Sequence, residues 1–124
     1  MQRCVLKAVK FESSNLSDCE AFFVSVFGFA VTHRYSAEAF EEIVMTLGGE
    51  GSLMLKFVQF KGGTTHASGA TIQIRLDAIE NVIAAARARR ATVKMAPTCY
   101  PDVGVEMAVI TTDQGLDIEL VREL

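Results

Sequence analysis

The stretch ATIQIRLDAIENVIAAARARRATV, residues 70–93, changes period part-way along. From Thr71 to Leu76 polar and apolar residues alternate, the period-two signature of a strand with one buried face. Ile72, Ile74 and Leu76 pack, while Thr71, Gln73 and Arg75 point away. From Asp77 the spacing lengthens to that of a helix. Ile79, Val82, Ile83 and Ala86 form its apolar stripe, with Asp77 as N-cap and Glu80 three residues later. Arg87 to Arg90 close it, where cations complement the helix macrodipole; a phosphate-binding patch is the other reading of this basic cluster.

The same grammar stands earlier in the chain. VLKAVKFES, residues 5–13, alternates, with Val9 and Phe11 packing and Ala8, Lys10 and Glu12 pointing away. SNLSDCEAFFVSVFGF, residues 14–29, follows with Leu16, Cys19, Phe23, Val26 and Phe27 at helical spacing. Ser17 and Glu20 fit an S-x-x-E capping box, and Gly28 supplies a left-handed stop. Three shorter extended pieces follow each helix: residues 30–35, 41–47 and 52–60 in the first half, and 92–96, 105–112 and 116–121 in the second. Turn residues at 48–51, 61–63 and 113–115 separate them. The unit is βαβββ, used twice, which predicts two halves related by a pseudo-two-fold axis rather than a stacked array.

With 124 residues, half of them hydrophobic, the chain has the size of one domain, residues 1–124, with module one at about 1–62 and module two at about 69–124. No apolar run is long enough to span a bilayer, and the first residues lack a signal peptide's apolar stretch, so a cytoplasmic protein without a membrane partner is expected. A formal charge of −3 gives nucleic acid no electrostatic reason to bind. Cys4, Cys19 and Cys99 lack CxxC spacing, which points to reduced thiols rather than a disulfide framework or a zinc knuckle.

AFFVSVFGF (21–29), TTDQGLDIELV (111–121) and the doubled βαβββ order together resemble the vicinal oxygen chelate superfamily, which includes glyoxalase I, bleomycin resistance proteins and extradiol dioxygenases. The resemblance implies an α+β fold in which the two modules form a cupped, open mixed β-sheet barrel with helices on the outer face. It further implies that the polar strand positions line the cup and that residues 96–107 close over it. Metal-bearing members hold a divalent ion with one side chain from the first strand and one from the last strand of each half. Those positions fall here on Ala8, on Lys56 or Leu55, on Thr71 and on Glu119. Ala8, Thr71 and Leu55 are not usual ligands, and an ammonium group has no lone pair to give. His33 and His66 lack metal-ligand spacing and lie away from those positions.

The resemblance therefore implies a metal-free protein with no cofactor that binds a small organic molecule, and residues expected at the ligand are Lys10, Lys56, Gln73, Arg75, Tyr100 and Glu119. Tyr100 offers an aromatic face and a hydroxyl. Glu119 accepts hydrogen bonds, or pairs with Lys10, Lys56 or Arg75, and is the one candidate base if chemistry occurs. The alternative is a metal-dependent lyase, isomerase or dioxygenase of glyoxalase type with displaced ligands; a third class is a subunit that binds a partner and no small ligand. A homodimer is expected, because a small and half-hydrophobic domain gains by burying more surface.

Overall fold

The computed structural model describes residues 8–48, 52–62 and 71–124. His66 and Cys4 lie outside them. The chain divides into two compact units, Met1–His66 and Ala67–Leu124. In the first, β1 (Ala8–Glu12) leads to α1 (Leu16–Phe27), then β2 (Ala30–Ser36), β3 (Phe40–Thr46) and β4 (Met54–Phe60). In the second, β5 (Thr71–Arg75) leads to α2 (Ile79–Arg87), then β6 (Thr92–Tyr100), β7 (Val105–Thr111) and β8 (Asp117–Glu123). The βαβββ unit read from sequence is present twice, and the fold class is α+β.

Each unit holds a four-stranded mixed sheet, ordered β1-β4-β3-β2 in the first and β5-β8-β7-β6 in the second. The first and last strands of each unit run parallel and the remaining pairs antiparallel. A parallel pair needs a crossover rather than a tight turn, and the helix together with two strands supplies it.

In the first unit the layer between helix and sheet is aromatic. Phe23 is 1% exposed, and its ring lies 5.1 Å from that of Phe57 and 5.4 Å from that of Phe29. Phe11 stacks on Phe57 at 5.7 Å. The second unit builds the same layer from aliphatic and small residues, with Ile79, Ile83, Ala86, Ala108, Ile110, Ile118 and Leu120 all buried. α2 packs against β6, β7 and β8.

Both helix starts correct the sequence reading. The N-cap of α1 is Asn15, two residues before Ser17, and its Oδ1 accepts the Asp18 N–H at 3.1 Å. Ser13, buried at the end of β1, fixes that position: its Oγ accepts the Asn15 N–H at 3.1 Å while its own N–H donates to Val58 O at 2.8 Å. Gln59 Oε1 accepts the Leu16 N–H at 3.0 Å. Glu20, not used in a capping box, instead accepts hydrogen bonds from both terminal guanidinium nitrogens of Arg34.

In α2 the cap position falls on Ala78 rather than Asp77, and no side chain caps it. Pairing with β8 continues one residue past β5, since Leu76 N–H donates to Val121 O at 2.9 Å. The turn is pushed along by that bond. The helix then begins at buried Ile79, with Ile83 and Ala86 below it on the sheet side.

The segment 96–107 also differs from expectation. Instead of a separate cover, it completes a hairpin: β6 runs on through Pro97 to Tyr100, a 3₁₀ turn at Pro101–Val103 follows, and Gly104 at φ 70° turns the chain into β7. β6 is an edge strand, and Pro97 falls inside the register shift between Met95 and Thr98. A proline there costs the ladder no bond.

Candidate functional site

Each sheet has one face against its helix and one turned from it, here called the open face. Strand register decides which side chains share that face. In the first unit Lys10 stands beside Lys56, with Val44 and then His33 across β3 and β2. Lys10 Nζ reaches Glu42 Oε2 at 2.7 Å, and the Glu42 side chain is 8% exposed. His33 stacks on Tyr35, ring centroids 6.0 Å apart. Leu55 is buried on the helix side, so Lys56 is the residue that occupies the β4 position matching Glu119 of β8.

In the second unit the open face is built in transverse rows. Thr71, Asp117, Thr111 and Thr92 form one; Gln73, Glu119, Val109 and Met95 the next; Arg75, Val121, Met107 and Thr98 a third. Tyr100 and Val105 end it beside Glu123. The polar side chains gather on β5 and β8. The apolar ones, Val109, Met107 and Val105 on β7, Met95 on β6 and Val121 on β8, adjoin one another across the last two rows and the one before them, all partly exposed.

Three carboxylates on this face meet different partners. Asp117 accepts from Lys94 Nζ at 2.6 Å and from Thr111 Oγ1 at 2.7 Å, and these bonds hold its carboxyl below its ordinary value of 3.8. Glu123 pairs with Arg75 at 3.0 Å. Glu119 accepts from the Gln73 amide, Nε2 to Oε2 at 3.0 Å. Of the two expectations for Glu119, a hydrogen-bond acceptor or the partner of a cation, the first is the one found within this unit: its partner is the neutral Gln73 amide.

Of the residues named from sequence, Gln73, Arg75, Tyr100 and Glu119 lie on one open face, and Lys10 and Lys56 lie together on the other unit's. The Tyr100 hydroxyl donates to Met95 Sδ at 3.5 Å, and the residue is 37% exposed. Sequence reasoning missed Glu42, because EEIVM has no alternation after Glu42 and left its face undecided. It also missed Lys94, Asp117's partner, and the apolar run Met95, Met107 and Val109. A register shift between Val93 and Met95 re-aims that edge, which no local pattern announces.

The four positions that the resemblance assigns to a metal are Ala8, Lys56, Thr71 and Glu119. They do not fit one: alanine has no donor atom and the lysine ammonium no lone pair. Among the described residues no group of three or more His, Cys, Asp or Glu comes together.

A family model described as the glyoxalase/bleomycin resistance protein/dioxygenase superfamily matches residues 13–120. The chain belongs to that superfamily. Solved structures of superfamily folds agree over nearly the whole chain. Glyoxalase I from Zea mays, as its V278E mutant, superimposes with a TM-score of 0.81 at 17% identity, covering 94% of this chain and 45% of that one. This chain therefore spans less than half the length of the maize enzyme. The trypanothione-dependent glyoxalase I of Leishmania major gives 0.81 at 17% identity, covering 98% and 88%. TnmS3, an antibiotic binding protein from Streptomyces sp. CB03234, gives 0.73 at 16% identity, covering 100% and 99%. At these identities the likeness is one of fold. No curated protein matches the chain. Within the superfamily one scaffold carries many activities, so function has to be argued from the open faces. Among the described residues no helix is long and apolar enough to cross a membrane.

Proposed function

We propose that this protein, residues 1–124 acting as one domain, binds a small organic molecule on the open faces of its sheets without a resident metal ion. In this reading it is a cytoplasmic homodimer that sequesters its ligand; TnmS3, an antibiotic binding protein of like fold, supports small-molecule binding on such a scaffold. The observation that carries the reading is the chemistry of the four metal positions: Glu119 alone is a carboxylate or imidazole, and one of its oxygens is engaged by the Gln73 amide. A carboxylate held this way, next to Val109, offers a ligand one strong acceptor at the border of an apolar floor.

Glyoxalase-type chemistry with displaced ligands is the second reading, favoured by the superposition on two glyoxalase I enzymes. The two part at Glu119→Gln. Turnover routed through a carboxylate base disappears in that variant, whereas a binding module keeps its ligand at reduced affinity. The test is a thermal-shift screen of drug-like aromatics on protein stripped with chelator. Hits that persist in the stripped protein support metal-free binding; hits that vanish and return with added divalent ion overturn it. Light scattering of purified protein tests the dimer, which predicts twice the chain mass.

A further inference from the structure

We infer that the ligand of the second unit's open face is a flat aromatic cation, a protonated planar amine, seated on Val109, Met107, Met95 and Val121 with its charged group on Glu119. The inference rests on the small-molecule reading above and narrows it to one chemical class.

Charge decides the sign of the ligand. The three carboxylates of this face differ in what answers them: Lys94 answers Asp117, Arg75 answers Glu123, and a neutral amide answers Glu119. Among the described residues of this unit, Glu119 is thus the acid on the open face whose charge no cation matches. The Gln73 amide fixes the carboxylate by binding Oε2, and Oε1 is the second acceptor of the same group. A protonated amine gains a charge-assisted hydrogen bond there, while an anion meets repulsion.

Shape decides the body of the ligand. Glu119 and Val109 are register partners on β8 and β7, and Met95 follows Val109 on β6. Met107 and Val121 occupy the next row. With strands about 4.8 Å apart and same-face residues about 6.8 Å apart along a strand, this floor measures about 10 by 7 Å, the footprint of two or three fused rings. Valine methyls and methionine thioethers are flat, soft contacts for an aromatic face. Tyr100, held to Met95 Sδ at 3.5 Å, sets an aromatic edge at the far side.

The test uses two fluorescent tricyclic probes of like shape and opposite charge, 9-aminoacridine, protonated at neutral pH, and anthracene-9-carboxylate. They are titrated into the full chain at low salt, with circular dichroism as the fold control. The wild type should bind the cation at least about tenfold tighter than the anion. Glu119→Gln, a near-isosteric change at a partly exposed site, should erase that preference by weakening the cation alone. Gln73→Glu, which adds a second charge, should widen it. If both probes bind alike, or Glu119→Gln weakens both equally, the assignment to aromatic cations is overturned while small-molecule binding stands. If neither probe binds the wild type, or Met107→Lys leaves binding of both intact, the small-molecule reading of this face falls, and this inference with it.

Discussion

Cys19 and Cys99 are the same residue in opposite surroundings. Burial pushes the Cys19 thiol up to about 12, against the opposing pull of its hydrogen bond with Ser13, so it stays protonated and unreactive at neutral pH. Cys99 lies exposed on β6. Brief alkylation of native protein followed by peptide mass mapping should therefore find Cys99 modified and Cys19 unmodified until denaturant is added. Acid sensitivity is the second residue-scale expectation. Hydrogen bonds from Arg34 depress Glu20 below 4.5, and those from Lys94 and Thr111 depress Asp117 below 3.8. A depressed carboxylate stabilises the fold fully above its ordinary value, and that contribution is lost as pH falls from there through the folded value. Urea unfolding should show the midpoint dropping between about pH 5 and about pH 3, and Arg34→Met should lose less over that range than the wild type. Residues of this kind were only half legible in the chain. The faces of Gln73, Arg75 and Glu119 follow from clean alternation, but their partners do not, since register between distant strands decides that Gln73 rather than Arg75 meets Glu119.

The elements end and begin by backbone rules that the sequence expresses unevenly. Both helices close with a backbone bond that reaches back past a left-handed residue: Phe29 N–H to Phe23 O, six residues before it, at 3.2 Å, and Ala91 N–H to Ala86 O, five before it, at 3.0 Å. The left-handed residue in that turn is Gly28 at φ 78° in one and Arg90 at φ 68° in the other. Gly28 was legible as a stop; Arg90 was not, because arginine carries no preference for that conformation. A Cβ at Gly28 would meet nothing within 4 Å, so Gly28→Ala should cost the backbone term alone, about 1 kcal/mol in denaturant unfolding. Helix starts were misread by one or two residues for a related reason: the pattern of Ser, Asp and Glu names several caps, and tertiary bonds from Ser13 and Leu76 choose between them. Ala78 already has the extended backbone of a cap, φ −129° and ψ 89°, without a capping side chain. Ala78→Asp should accordingly stabilise the protein by about 1 kcal/mol. Phe23 joins the helix to the sheet through Phe57. Phe23→Ala should cost about 3 to 5 kcal/mol, a large part of the stability of a domain this size, seen as a fall in the denaturation midpoint.

At the scale of the whole chain, duplication was the most legible feature, because a period-two strand followed by a 3.6-period helix is a long pattern and it occurs twice. AFFVSVFGF, TTDQGLDIELV and the doubled βαβββ order together carried the superfamily, and the family model over residues 13–120 agrees with them. What the chain binds was less legible. A superfamily fold supplies a frame for many ligands, and the side chains that distinguish one from another, Lys94, Met95 and Met107 among them, stand on strands where a register shift breaks the alternation. Ala8 and Lys56 offer a resident divalent ion no donor, and Glu119 is the one carboxylate among the four positions, so the proposed function is metal-free. Elemental analysis of protein purified without chelator and dialysed against each of zinc, nickel, manganese and iron(II) under reducing conditions tests it most directly. A metal-free protein holds divalent ion far below one per chain, unchanged in Glu119→Gln; one ion per chain, lost in that variant, would overturn metal-free binding.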